Sequence, residues 1–463
     1  MRPLSRSSGP LSALALLIIL SPFQAFFRLA FPSSTVVLLW RDVLAYGLLM
    51  VCLARAVIRG ESLPRHWING VLIVYIAWGL LKIFIPPSAN MTVGLYGFRA
   101  AVRYAPLYFA TLLMIRSEQD VRLLSKATLV GATVLAVFGI WQFLAPETSV
   151  FQIGSEFAPT DRFGQRSLFG IWLPRISSLY MGGVNGFAVY MTSCVAVSLY
   201  ALLSTSEGRR RLSYWLVAGS LIFVILFSFS RMAWIGLVVI LFLILRKRRH
   251  GRHMSRWRPG RLMSGLIMLI VSAPLLYAMF SVEWSDPAFI NEVLWRLADR
   301  SQAFPIDPLV LVVGDAYAFT GYTEGVPKAL LENVLESGGL DSQWLLTVLQ
   351  FGLVGALLQV IILSGFIAVA YRMHRQDLRN LNVVQLGGLI WHPTPLLATF
   401  LFMALSSTFT APFSYQGLDV NFYVLGAIGV WYYRRYRVLR NASDGDRGGL
   451  KTPAETNGKK WVR

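Results

Sequence analysis

The chain has 463 residues, of which 55% are hydrophobic and only 14% are charged. A soluble domain carries roughly 25% charged residues, so this composition excludes an ordinary soluble protein and favours a membrane protein. The formal net charge of +20 does not indicate nucleic-acid binding, because the basic residues stand in short blocks between long apolar runs, where they report membrane topology.

Apolar runs long enough to cross a bilayer as helices recur along the chain. They predict an all-α fold, a polytopic integral membrane protein of about twelve transmembrane helices with both termini in the cytoplasm. The predicted spans lie near residues 11–31, 35–54, 67–85, 95–115, 122–144, 179–204, 212–228, 231–245, 262–281, 341–371, 386–410 and 418–433. We expect one transmembrane domain over residues 1–440 and a disordered cytoplasmic tail over residues 441–463, which is rich in Asn, Asp, Gly and Lys.

Most of the 43 lysines and arginines fall in segments that this topology assigns to the cytoplasm, as the positive-inside rule requires. Two such blocks, residues 209–211 and 246–261, flank an apolar run with a single polar interruption at Ser228-Phe229-Ser230-Arg231. We interpret this run as a membrane hairpin whose tip carries Arg231 to the outer surface. An anionic ligand, such as a lipid-linked phosphate, would account for an arginine at that place.

Two predicted outer loops, over about residues 145–178 and 282–340, are long for connections in a compact bundle. Loops of this length are usually functional. The second loop contains amphipathic stretches at residues 291–300 and 326–336, which we expect to form short helices along the membrane surface. Cys52 and Cys194 both lie in apolar runs and imply no disulfide framework.

The hairpin tip and the outer loops resemble the O-antigen polymerase and ligase family of bacterial envelopes (Wzy-like). Ser228-Phe229-Ser230-Arg231 is similar to the family's Ser-x-Ser-Arg motif, and Arg175, followed by ten residues and Gly186, is similar to its Arg-(ten residues)-Gly pattern. Further similarities are Val184-Asn185-Gly186, Leu294-Trp295-Arg296, Asp307-Pro308-Leu309, and Asp341-Ser342-Gln343-Trp344-Leu345 followed by Gly352-Leu353-Val354-Gly355. The resemblance covers roughly residues 165 to 370.

The resemblance implies a metal-independent membrane glycosyltransferase of the bacterial inner membrane, without a cofactor. The expected substrate is an undecaprenyl-diphosphate-linked oligosaccharide, whose growing glycan is transferred to the next lipid-linked repeat unit. Membrane lipid, a chain-length regulator and a flippase are the expected partners. Ligases of the family use an outer histidine as general base, whereas His66, His250, His253, His374 and His392 are all predicted to be cytoplasmic here. We therefore favour an O-antigen or exopolysaccharide polymerase over an O-antigen ligase, and both over a secondary transporter.

Arginines suit this chemistry because guanidinium groups bind phosphate oxygens in pairs and keep their charge. The candidate catalytic residues are Arg231, Arg175, Arg296, Arg300, Asp341 and Glu332. A carboxylate is needed to accept the proton of the attacking hydroxyl, and Asp341 is the first choice, with Glu332, Glu336 and Asp315 as rivals. Asp341 is also well placed to cap the helix that follows it, and Arg175 to anchor the chain at the membrane interface.

Two further pairs have structural interpretations. Arg41 and Asp42 are expected to form a neutralising pair within the second span, because charges inside a membrane are paired. Gly352 and Gly355 are expected to allow close packing between helices.

Overall fold

The computed structural model describes residues 8–31, 34–84, 98–99, 102–146, 165–168, 171–180, 183–204, 208–250, 343–379, 393–409 and 418–447, together with Leu95 and Thr148. These parts of the chain are helical except for one short pair of strands. The helices of the first half are α1 (Ser8–Leu20), α2 (Gln24–Ala30), α3 (Thr35–Ile58), α4 (Trp67–Lys82), α5 (Ala105–Met114) and α6 (Glu118–Leu144). Those of the second half are α7 (Gly183–Ser204), α8 (Gly208–Phe227), α9 (Arg231–His250), α10 (Gln343–Arg379), α11 (Pro393–Phe409) and α12 (Leu418–Arg447).

Three helices in the described residues are long and apolar enough to cross a membrane, by length and composition. Their apolar segments are Glu118–Leu144, Arg210–Phe227 and Phe351–Arg375. Large apolar side chains also face outward from the bundle, among them Val57 at 81% and Leu144 at 74% exposure. A lipid environment would cover such side chains, whereas a soluble monomer rarely exposes so many. The protein is therefore a helical membrane protein.

Helix α7 lies at the centre of one group of helices. It packs against α6, α8, α9 and α11, and its side chains from Gly186 to Leu199 are all buried. A second group places α5 against α3 and α12, and α10 against α4, α11 and α12. The core of the molecule is thus formed by apolar helix faces.

The first predicted span is broken in the structure. The sequence analysis treated residues 11–31 as one helix, but Ser21–Phe23 form a 3-10 turn between α1 and α2. Pro22 lies in that turn and has no backbone N–H to donate, so it cannot continue the hydrogen-bond ladder of α1. Gln24 holds the turn in place: its side chain donates to the carbonyl of Val37 at 2.6 Å and accepts from the indole of Trp40 at 2.5 Å.

The first long loop contains the two strands, β1 (Gln165–Leu168) and β2 (Ile171–Pro174). They pair antiparallel, with Gln165 opposite Pro174 and Leu168 opposite Ile171. The all-α class is confirmed, and this hairpin is a local feature of the loop. It was not predicted, because a four-residue strand is too short to show a recognisable period beside spans of twenty apolar residues.

Helix α10 reverses direction at Gly352, whose φ of 69° and ψ of −177° are not helical. The hydroxyl of Thr347 donates to the side chain of Gln359 at 2.5 Å. Twelve residues of straight helix would span about 18 Å, so the chain before Gly352 folds back on the helix that follows it. The carbonyl of Phe351 accepts a hydrogen bond from Trp78 at 3.0 Å, which satisfies one backbone group at the break.

The glycine pair and the end of α12 were also the subject of predictions. Gly352 and Gly355 were expected to allow close packing between helices, and a side chain at Gly355 would clash with Phe351 on the other side of the break at Gly352, so Gly355 allows a close approach within α10. Helix α12 continues to Arg447, so it includes the first seven residues of the predicted tail, while the boundary of the transmembrane domain stays a prediction. Extending an existing helix by a residue costs much less than starting one, which favours such continuation. The predicted span near residues 262–281 lies outside the described residues.

Candidate active site

The tip of the predicted hairpin is a tight turn over Ser228–Ser230 between α8 and α9. Phe229 has a φ of 53°, which L-residues rarely adopt outside turns. The hydroxyl of Ser228 donates to the carbonyl of Ile225 at 2.6 Å and accepts from the backbone N–H of Ser230 at 3.3 Å. The indole of Trp234 donates to the same Ile225 carbonyl at 3.2 Å. The polar residues of the tip therefore satisfy its backbone.

Arg231 is the first residue of α9 and is exposed, whereas Ser228 and Ser230 beside it are buried. The first N–H groups of a helix have no partner within the helix, so the start of α9 adds a partial positive charge where Arg231 stands. The serines and the arginine of the Ser-x-Ser-Arg motif thus have different structural roles. Its serines shape the turn and its arginine projects from it.

Arg175 contacts this tip directly. Its Nε donates to the carbonyl of Ser228 at 3.2 Å, and the backbone N–H of the next residue, Ile176, donates to the carbonyl of Phe227 at 3.1 Å. These contacts join the segment of Arg175 to the turn that precedes Arg231, two parts of the chain that the sequence placed in separate outer segments. The catalytic role of Arg175 and Arg231 stays a prediction.

The Arg175 segment rests on a buried amide of α6. The side-chain oxygen of Gln142 accepts from the backbone N–H groups of Ser177 and Ser178 at 3.0 and 2.8 Å, and its nitrogen donates to the Ser177 hydroxyl at 3.3 Å. Ser178 has a φ of 55° and donates its hydroxyl to the carbonyl of Leu135 at 2.8 Å. Gln142 was not among the residues singled out from the sequence, although an amide near the end of an apolar run is a usable signal.

A second cationic cluster lies where α3 meets the segment before α5. The Nε atom of Arg99 donates a hydrogen bond to the Asp42 carboxylate at 2.7 Å, and Arg103 forms an ion pair with the same carboxylate at 3.0 Å. The guanidinium carbons of Arg41 and Arg103 lie 5.8 and 5.6 Å from the ring centre of Tyr104. Asp42 thus pairs with two arginines from the segment before α5, and these contacts tie two helical segments together. The predicted pairing of Asp42 with Arg41 stays a prediction.

This cluster carries more positive than negative charge among the described residues. Arg99 and Arg103 pair with Asp42, and Arg41 and Arg103 lie over the Tyr104 ring, so three arginines stand at one carboxylate and one ring. Arg41 is only 1% exposed and Asp42 only 8%. Buried charges are strongly unfavourable unless paired, so the cluster is a specific structural feature.

The other candidates, Arg296, Arg300, Asp341 and Glu332, lie outside the described residues, as do the rival bases Glu336 and Asp315. Helix α10 begins at Gln343, two residues after Asp341. Within the described part of the chain, no group of three or more His, Cys, Asp or Glu side chains is arranged to hold a metal ion.

No protein-family model matches the chain, and no curated protein matches it significantly.

Proposed function

We propose that this protein is a bacterial inner-membrane polysaccharide polymerase that transfers a growing glycan from undecaprenyl diphosphate to a lipid-linked repeat unit. The observation that carries the proposal is the contact between Arg175 and Ser228, three residues before Arg231. Two arginines that resemble family motifs meet at one turn, next to a helix N-terminus. That arrangement favours a phosphate-bearing substrate.

Glycan transfer from a lipid diphosphate needs fixed positive charge, and this turn supplies it. A sugar hydroxyl of the acceptor attacks the anomeric carbon of the donor, and the bond from that carbon to the diphosphate breaks. Negative charge grows on the departing diphosphate, so guanidinium groups fixed beside it lower the barrier. Arg231 is exposed at the tip and takes the role of binding the departing diphosphate, while Arg175 positions the turn through the Ser228 carbonyl.

The hydroxyl proton must pass to a base as the new glycosidic bond forms. We assign this role to a carboxylate of the second outer loop, with Asp341 first and Glu332 second, and the surface arginines Arg296 and Arg300 as further diphosphate ligands. The two described histidine side chains, His66 and His374, lie far along the chain from the tip. His374 contacts Thr394 at 3.0 Å, and His66 caps α4. Neither belongs to the turn that holds Arg231.

The proposed topology has about twelve spans, with the hairpin tip outside and both termini in the cytoplasm. One set of contacts supports the assignment of sides. Arg116 donates twice to Glu61, at 2.8 and 2.7 Å, and Arg435 forms an ion pair with Glu118 at 3.5 Å. These residues come from three segments that the sequence assigns to the same, cytoplasmic side.

The test is the glycan size ladder of cells in which only a variant copy is present. We expect Arg231→Lys to lower the polymerisation rate about 100-fold at normal protein level, because a lysine cannot replace the paired donors of a guanidinium. Arg210→Lys is the matched control, since Arg210 is exposed at the other end of the hairpin. A wild-type ladder from Arg231→Ala would contradict the proposal.

The same ladder identifies the base and separates a polymerase from a ligase. Asp341→Asn keeps the size of the side chain and removes its ability to accept a proton, so its effect reports proton transfer. Loss of a polymerase leaves single lipid-linked units, whereas loss of a ligase leaves long lipid-linked chains. Should Asp341→Asn, Glu332→Gln and Glu336→Gln all give wild-type ladders, a carboxylate base at these positions is excluded.

A further inference from the structure

A pocket of about 610 Å³ opens at the end of the bundle that the sequence assigns to the cytoplasm. Arg65, Arg372 and Arg437 line it, together with His66, Trp67 and Tyr433. The three arginines come from three separate parts of the chain: the segment before α4, the second half of α10, and α12. The positive-inside rule accounts for arginines on this side, but it does not account for their convergence on one cavity.

Among the side chains that the structure describes, the pocket is lined by positive charge and two carboxylates of the same end are paired with other arginines. None of the described residues that line it is acidic. Glu61 binds Arg116 at 2.7 Å, and Glu118 binds Arg435 at 3.5 Å. The arginines at this end thus divide into those that pair with carboxylates and those that face the pocket.

The remaining wall of the pocket is aromatic and could contact the organic group that a phosphate ester carries. Helix α4 begins there, and the Nδ1 atom of His66 accepts from the backbone N–H of Ile68 at 3.4 Å. The rings of His66 and Tyr433 lie 5.9 Å apart, edge to face, and Trp67 is 51% exposed beside them. An aromatic surface next to three guanidinium groups can cover an apolar or sugar-like moiety attached to a phosphate.

We propose that this pocket binds a phosphate-bearing anion, through paired hydrogen bonds from Arg65, Arg372 and Arg437. Such an anion has two sources at a cytoplasmic membrane surface, the headgroup of an anionic phospholipid and a soluble phosphate compound. The pocket lies at the opposite side of the proposed membrane from the hairpin tip. Its occupation therefore does not depend on the polymerase proposal and can be tested without an activity assay.

The experiment measures thermal unfolding of the purified full-length protein in detergent. The probes are dioleoylphosphatidylglycerol, dioleoylphosphatidylcholine, whose headgroup has no net charge, and inorganic pyrophosphate. The dependence of Tm on probe concentration gives an apparent Kd. The pocket variant is Arg65→Gln with Arg372→Gln and Arg437→Gln. The matched control removes three exposed or half-exposed charges at the same end, Arg59→Gln with Arg375→Gln and Arg435→Gln.

We expect the pocket variant to raise the apparent Kd of the anionic probe about 100-fold, which corresponds to roughly 5-fold for each arginine. The control variant should change this Kd less than about 3-fold. Stabilisation by phosphatidylglycerol alone identifies a lipid headgroup, and stabilisation by pyrophosphate identifies a soluble phosphate. The proposal is overturned if neither phosphatidylglycerol nor pyrophosphate stabilises the wild type more than phosphatidylcholine does. It is also overturned if the pocket variant binds the anionic probe as well as the wild type, or if the control variant loses as much affinity as the pocket variant. If the triple variant does not fold, Arg437→Gln alone gives the 5-fold step.

Discussion

One hydrogen bond, from the Nε atom of Arg175 to the carbonyl of Ser228, joins two residues that are 53 positions apart in the chain. A carbonyl at a tight turn cannot move without changing the direction of the helix that follows. The bond therefore couples the loop that carries Arg175 to the orientation of Arg231. A buried amide, Gln142, fixes the other side of that loop through two backbone N–H groups.

His66 makes the stability of the protein depend on pH. Burial lowers its pKa, and the positive charges of Arg434 and Arg372 lower it further. The folded protein thus holds His66 neutral, and Nδ1 must be neutral to accept the cap bond from Ile68. Below the ordinary histidine pKa of about 6.5, the unfolded chain takes up a proton that the folded protein resists, so stability present at higher pH is lost as pH falls.

We therefore expect the wild type in detergent to lose more Tm between about pH 7.5 and about pH 5.5 than His66→Asn does. Asparagine caps a helix as well as most residues and does not titrate, so it isolates the protonation of His66 from the loss of the cap. Melting curves at several pH values give the two slopes. Equal slopes for both proteins would show that His66 does not carry this dependence.

The sequence identified Arg175 and Arg231 because motif spacing and an interrupted apolar run are both visible in one chain. It did not identify Gln142 or the partners of Asp42. Arg99 lies 57 positions after Asp42, and their pairing depends on which helices become neighbours. Apolar faces of helices look alike from sequence, so neighbour choice is decided by side-chain packing that one sequence does not reveal.

At the scale of elements, Gly352 controls the reversal of α10. Its φ of 69° and ψ of −177° fall in a region that is essentially restricted to glycine. We expect Gly352→Ala to lower the free energy of unfolding by about 1–3 kcal/mol, because the alanine strains the backbone at the reversal. Gly219→Ala on α8 is the control, since a Cβ there meets nothing within 4 Å.

Thermal unfolding in detergent of the two alanine variants measures this difference. The control should be neutral or slightly stabilising, because alanine favours a helix by about 0.5–1 kcal/mol over glycine. An unchanged Tm for Gly352→Ala would mean that the reversal does not require the glycine backbone conformation.

Hydropathy predicted most helices, because an apolar run of about twenty residues has few alternatives to a helix in a membrane. It missed the features that interrupt or replace helices. Pro22 breaks the first predicted span, and a strand pair replaces part of the first long loop. The reversal at Gly352 was not predicted, because it lies inside one long apolar run. Hydropathy indicates whether a segment lies in an apolar environment, but it does not indicate where the chain changes direction.

At the scale of the whole molecule, the proposed sidedness can be tested with reporters. Basic residues resist translocation, so the block that ends at Arg261 should stay in the cytoplasm. A reporter enzyme that works only in the cytoplasm should be active when it is fused after Arg261. A reporter that works only outside the cytoplasm should be active when it is fused at Pro287. Activity of the cytoplasmic reporter at Pro287 would show that the second outer loop lies in the cytoplasm. Its residues could then not belong to the proposed site.

The charged cluster at Asp42 also has a consequence for biosynthesis. The ribosome delivers α3, with Arg41 and Asp42, before Arg99 and Arg103 exist. A charged residue near the middle of an isolated span opposes insertion by up to about 2.5–3.5 kcal/mol, and less toward its ends. In the proposed topology, we therefore expect α3 to insert weakly on its own and to become stable in the bilayer once the segment before α5 supplies Arg99 and Arg103. A group of helices would then be the unit that enters the bilayer stably.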